Sequence, residues 1–72
     1  MTATVDARGL SCPQPVIMTI NEIKSGQDND IVVLVDTDTS RENVERAAES
    51  QGCRVTDVSP DGDGYRIAIT KG

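Results

Sequence analysis

Cys12 is the side chain of this sequence best suited to covalent chemistry. It stands in Asp6-Ala7-Arg8-Gly9-Leu10-Ser11-Cys12-Pro13-Gln14-Pro15, just ahead of a stretch where Val16, Ile17, Ile20 and Ile23 recur at helical spacing. Pro13 suits the first helical position, because the N–H it lacks would be unpaired there anyway. Cys12 then falls at or beside the N-cap, where the positive end of the helix dipole favours a thiolate. Arg8, one turn upstream, adds positive charge. Neither Pro13 nor Pro15 has an N–H to offer, which leaves Gln14 and Val16 as the nearest free helical donors.

What such a thiol can do is narrowed by what the chain lacks. There is no histidine, so no Cys/His dyad or triad exists. Two cysteines without histidine do not make a four-ligand zinc site, and nothing calls for a metal or cofactor. A thiol with no neighbouring acid, base or resolving cysteine is poorly equipped to turn over a substrate alone. It is well equipped to take a sulfur atom from another protein, hold it as a persulfide and give it to a third, since the leaving thiolate then belongs to the partner. The expectation is a carrier rather than a self-sufficient enzyme. The opposing expectation is a small buried cysteine at the start of a helix, and residue physics alone leaves both open. Asp6 also reads two ways: a cap for the turn after the first strand, which is favoured, or an acid that positions the cysteine loop.

The pattern Asp6-x-x-Gly9-x-x-Cys12-Pro13-x-Pro15 resembles the signature of the TusA/SirA-like sulfur-carrier family, and the likeness in length and element order extends over nearly the whole chain. Carried over position by position, the resemblance implies that Cys12 bears the persulfide. Pro13 and Pro15 would shape the helix start, and Gly9 and Asp6 the approach to it. Where many relatives run an Asp-Pro pair into the second helix, this chain has Asp36-Thr37-Asp38-Thr39-Ser40. Its Ser40-Arg41-Glu42-Asn43-Val44 and Ser50-Gln51-Gly52 are similar to the first domain of YedF-like proteins associated with selenium metabolism. The partners implied are a persulfide donor such as a cysteine desulfurase and an acceptor with a reactive cysteine (DsrE-like), in tRNA thiolation, sulfur or selenium metabolism. Arg8, Gln14 and Met18 are candidates for contact with them. Two rival functions are a redox switch joining Cys12 to Cys53, and a binding module for protein or RNA.

Seventy-two residues make one domain, near the lower limit for a core without metal or disulfides. With no Trp or Phe and a single Tyr, that core must be aliphatic. A net charge of −5 argues against a surface that neutralises phosphates, so direct nucleic-acid binding is not expected. An acidic chain suits basic patches on partner proteins instead. No apolar run approaches a membrane span and no signal-peptide pattern opens the chain. Two distant cysteines are not a disulfide framework, and the natural compartment is a reducing cytoplasm. A monomer is expected.

The elements that must position Cys12 follow from periodicity. Thr2 to Asp6 alternates as a first strand with Ala3 and Val5 on one face, and Gly9 supplies the turn into the helix. Leu10 is expected to pack under that helix's first turn. The helix runs from about Pro13 to Lys24, with Val16/Ile17, Ile20 and Ile23 inward and Met18 outward, and stops at Gly26. Ile31 to Val35 reads as a central strand, apolar on both faces. Its outer residues Val32 and Leu34 are then either covered by loops or offered to a partner. Asp36-Thr37-Asp38 is expected as a solvated connection, and Thr39-x-x-Glu42 as a capping box. The second helix carries Val44, Ala47 and Ala48 inward, with Arg41–Glu45 and Glu42–Arg46 pairs outside, and ends at Gly52. Cys53 to Val58 forms a strand with Cys53 in a structural, buried role. Pro60-Asp61-Gly62-Asp63-Gly64 forms a hairpin, and Tyr65 to Thr70 the last strand, with Tyr65, Ile67 and Ile69 inward. The order β-α-β-α-β-β specifies an α+β two-layer α/β sandwich: a four-stranded mixed sheet with two helices on one face. The family resemblance implies the same outline, shared with the C-terminal domain of translation initiation factor three, a likeness that licenses no RNA function.

Overall fold

A computed structural model describes residues 2–10, 13–26 and 29–71. The elements are β1 Thr2–Asp6, α1 Gln14–Ser25, β2 Asp30–Val35, α2 Asp38–Ser50, β3 Cys53–Asp61 and β4 Gly64–Lys71. The strands form one sheet in the order β1-β2-β4-β3. β1 runs parallel to β2, while β4 is antiparallel to both β2 and β3. The expected architecture is thus present.

Alternation along the strands sorts the two faces. The register sets Val5 beside Val33, Val33 beside Ile67 and Ile31 beside Ile69, and all of these are buried. They form one core with Val35, Val44 and Ala48, against which Met18, Ile23, Val55, Val58 and Tyr65 pack. Both helices therefore cover this face. On the other face Thr4, Val32 and Ala68 lie in register. Val32 is buried there. Among the described strand residues no large hydrophobic side chain is exposed.

β3 keeps its apolar side chains on the core face by breaking its own alternation. Val55 pairs with Ile69, Asp57 with Ala68 and Val58 with Ile67, so Thr56 is an extra residue in a bulge. One inserted residue flips the phase, and Val55 and Val58 both point inward. Pro60 is tolerated because β3 is an edge strand and needs no donor on its outer side.

α1 departs from the expected phase. Its buried residues are Pro15 and Thr19, with Met18 and Ile23 against the core, while Ile17 is 43% exposed. Val16 and Ile20 are half-buried and face a groove shared with α2 rather than the sheet. Thr19 can be buried because its hydroxyl donates to the Pro15 carbonyl at 2.8 Å, which leaves no unpaired polar atom. Met18, expected outside, is thus a core-packing residue.

α2 is capped by Thr37, not Thr39: the Thr37 hydroxyl accepts the Ser40 N–H at 3.1 Å. Val44 and Ala48 are buried as expected, and Arg41 pairs with Glu45 at 3.2 Å. Gly52, at φ +81, ends the helix in the left-handed conformation.

Candidate functional site

Because β1 and β2 are parallel, they finish at the same end of the sheet. The loop from β1 into α1, the turn from β2 into α2 and the β3–β4 hairpin all gather there. This end holds the cysteine loop. Ser11 and Cys12 themselves lie outside the described residues, and the site is built from the residues on either side.

Upstream, Ala7 extends the β1 ladder, its N–H donating to the Leu34 carbonyl at 2.9 Å. Asp6 then closes the turn: one carboxylate oxygen accepts the Arg8 backbone N–H at 3.2 Å and the Arg8 Nε–H at 2.9 Å, the other Arg8 Nη2–H at 2.9 Å. This two-pronged pair holds the Asp6 carboxyl well below the usual carboxylate range, at about 2. Asp6 is the expected turn cap. Arg8, expected to favour a thiolate, is instead committed to Asp6, and the carboxylates of Asp61 and Asp36 add to the negative field around it.

The pH consequence has a definite sign. A carboxyl whose folded pKa is depressed contributes stability above its unfolded value near 3.8, and that contribution is lost as pH falls toward 2. The Asp6 carboxyl carbon, followed by NMR, is expected to titrate near 2 in the wild type. In Arg8→Ala it should return toward the ordinary aspartate value.

A further tie was not legible in sequence. Gly9, in the left-handed region at φ +77, donates its N–H to an Asp36 carboxylate oxygen at 2.7 Å. Asp36 sits just beyond β2, in the stretch read as a solvated connection. The contact joins residues 27 apart in the chain, and only the parallel pairing of β1 with β2 brings them together. Removing the acceptor in Asp36→Ala is expected to speed amide exchange at Gly9 by about fivefold, the weight of one partly solvated hydrogen bond of about 1 kcal/mol. Asp36→Asn retains an oxygen acceptor and should stay near wild type. Equal exchange in all three proteins would show that the tie holds nothing.

Downstream, Pro13 occupies the N-cap position of α1 and Pro15 its first turn, with no side-chain cap and no acidic residue in that turn. Pro13 was expected one position further in. The Ile17 N–H is committed within the helix, donating to the Pro13 carbonyl at 3.0 Å. Gln14 and Val16 supply the first N–H groups of α1, at the positive end of its dipole. Pro13 and Gln14 are exposed.

Apolar surface borders the same spot. Leu10, expected under the first turn of α1, is 39% exposed, and Ile17 is similarly open. From Pro13 a shallow groove of about 500 Å³ runs between the helices over Val16, Ile20 and Ala47, with Asn43, Arg46 and Ser50 at its margins. Of the residues singled out in sequence, Asp6, Arg8, Gly9, Pro13 and Gln14 meet at this end, and Pro15 is buried beneath it. Met18 belongs to the core.

Cys53 lies elsewhere. It opens β3 opposite Lys71, whereas the hairpin end of the same pair of strands is the Asp61–Gly64 step. Seven strand steps at ~3.3 Å each separate these two ends. Pro13, bonded to Cys12, is at the hairpin end, while Lys71 donates to Asn29 and Gly26 at the other. A disulfide needs Cα atoms within about 7 Å; Cys12 lies outside the described residues, and its described neighbour Pro13 stands at the other end of the sheet from Cys53. Cys53 is a free, half-buried thiol packed at the margin of the core.

Comparison with known proteins bears on the whole chain. The family model described as Sulfurtransferase TusA matches residues 3–71. Among solved structures, the crystal structure of a SirA-like protein from Desulfitobacterium hafniense superposes with a TM-score of 0.84 at 32% identity, covering 100% of this chain and 99% of that one. No curated protein matches. No helix among the described residues is long and apolar enough to cross a membrane, and none of those residues group into a metal site.

Proposed function

We propose, from the premise that this chain belongs to the TusA sulfurtransferase family, that it relays sulfur between proteins with Cys12 as the carrier. The thiolate of Cys12 attacks the outer sulfur of a donor's cysteine persulfide. The donor's S–S bond breaks, its cysteine leaves as thiolate, and a new S–S bond forms on Cys12. An acceptor cysteine then attacks that outer sulfur and Cys12 leaves. Each step is an exchange at divalent sulfur, so no outside oxidant or reductant is needed.

The observation that carries this reading is the open N-terminus of α1. Pro13 and Gln14 are exposed, the first turn has no acid, and Gln14 and Val16 supply the first backbone N–H groups of the helix there. Such an end favours a thiolate or persulfide anion over its protonated form. Exposed Leu10 and Ile17, with the groove from Pro13, supply apolar contact for a protein partner. The donor in this proposal is a cysteine desulfurase, and the acceptor a protein with a reactive cysteine, as in thiolation of tRNA or in sulfur or selenium metabolism; the site of action is the cytoplasm. The test is intact-mass spectrometry after incubation with a desulfurase and free cysteine. A gain of about 32 Da, one sulfur atom, is expected on the Cys12 peptide and lost on reduction. Protein left unmodified by several donors would overturn the proposal.

A further inference from the structure

The two edges of the sheet are built differently. β3 is guarded by the bulge at Thr56, by Pro60 and by the charged Arg54, Asp57 and Asp61, which are the usual means of preventing one edge from pairing with another. β1 has none of them. Its sequence, Thr-Ala-Thr-Val-Asp, is free of proline and lysine, and its single charge, Asp6, is already neutralised by Arg8.

The free edge is also self-complementary. The Ala7 N–H points to β2, and main-chain groups alternate in direction along a strand, so those of Val5 and Ala3 point to β2 as well. The main-chain groups of Thr2, Thr4 and Asp6 then face outward. A twofold axis at Thr4 maps this set onto itself: Thr4 meets Thr4 of the second copy, and Thr2 meets Asp6. Each is a hydrogen-bonded pair of an antiparallel ladder, giving about six main-chain bonds in total.

Side chains agree with that register. Thr4 faces Thr4 across the axis on the helix-free side, a favourable cross-strand pair, and Ala3 faces Val5 on the core side. The two Asp6 carboxylates end up at opposite ends of the ladder rather than against each other. Beside the edge lies a recess of about 310 Å³ floored by Val5 and walled by Met18, Asn21 and Ser25 of α1, open for the counterpart helix. Glu22, also in that wall, has its carboxylate folded back toward Gly26.

We infer that β1 is a self-association edge, and that two copies of this chain join through antiparallel β1 strands into one continuous eight-stranded sheet. The inference does not rest on Cys12. The chain leaves each β1 at Asp6, at opposite ends of the shared ladder, so the pairing does not bring the two β1–α1 connections together. The monomer expected from sequence is then the dilute form. An interface this small sits at the weak end of specific contacts, with association expected between about 10 μM and 1 mM.

Sedimentation equilibrium of the full chain in reductant should show the mass doubling across that range, with amide exchange at Thr4 slowing as concentration rises. Thr4→Pro removes only an outward N–H and keeps the bonds to β2. It is expected to weaken association at least about tenfold while the far-UV spectrum is retained. Thr4→Lys, an edge lysine that costs the fold little, should do the same, and Cys12→Ser should change nothing. A monomer at every concentration would overturn the inference. So would doubling that survives both Thr4 variants, or a Thr4 amide whose exchange ignores concentration.

Discussion

Gly64→Ala is expected to lower the melting temperature by roughly 15 °C or more, the largest loss from any single methyl group in this chain. Gly64 is buried where the hairpin meets the end of β2. A Cβ there would lie 2.1 Å from the Val35 carbonyl oxygen, 2.8 Å from Asp36 Cα and 3.0 Å from the Val35 carbonyl carbon. These are main-chain atoms in the middle of the sheet, so no side-chain rotation relieves the contact. The backbone must separate, and Val35↔Tyr65 is the first pair to open. Overpacking of this kind costs about 3 kcal/mol, a large part of the ~4–10 kcal/mol available to a domain of this length. In so short a chain each kcal/mol moves the melting point by about 4–8 °C. Gly62→Ala is the control: no atom lies within 4 Å of its Cβ position, but its φ of +61 strains alanine by about 1 kcal/mol. Thermal melts by circular dichroism separate the two cases. A Gly64→Ala protein melting within a few degrees of wild type would show that the two strands part more easily than their packing indicates.

The same displacement reaches the site, because Asp36 is the residue that Gly64 abuts and also the one that holds Gly9. This chain of contacts marks where sequence reading stops. The strands, helices and glycine turns were legible because each is a local pattern, and Asp6 was read as a cap because its partner is two residues away. The Gly9–Asp36 bond was not, since its members share a neighbourhood only after β1 and β2 pair. The phase of α1 failed for a related reason. Val16, Ile17 and Ile20 form the more apolar stripe, but a helix lying beside another helix on a sheet has two apolar neighbours. Pro15, Thr19, Met18 and Ile23 took the sheet, and Val16 and Ile20 took the boundary with α2. A buried threonine satisfied by its own helix gives no hydrophobic signal. The bulge was present in the sequence as the spacing of Val55 and Val58, one residue too wide for a regular strand.

Cys12→Ser is expected to abolish sulfur transfer, a loss of at least about a hundredfold, while leaving the melting temperature within a few degrees. A serine hydroxyl is a far weaker nucleophile at neutral pH and cannot form a persulfide, so the exchange has no first step. The fold should be indifferent because Leu10, Pro13 and Gln14 are exposed, and the core cluster is built from the strands and α2. Cys53→Ser reverses the pattern. Its thiol is half-buried against the core at the far end of β3, so a hydroxyl there costs some stability, about 1 kcal/mol, and little transfer. Measuring both melting and the transfer of labelled sulfur to an acceptor cysteine in the two variants separates carrier from scaffold. If labelled sulfur were found on Cys53, or passed on by Cys12→Ser, the open end of α1 would not be where transfer occurs. Pro13 and Cys53 stand at opposite ends of the sheet, so labelled sulfur on Cys53 would point to a route that does not start at the head of α1.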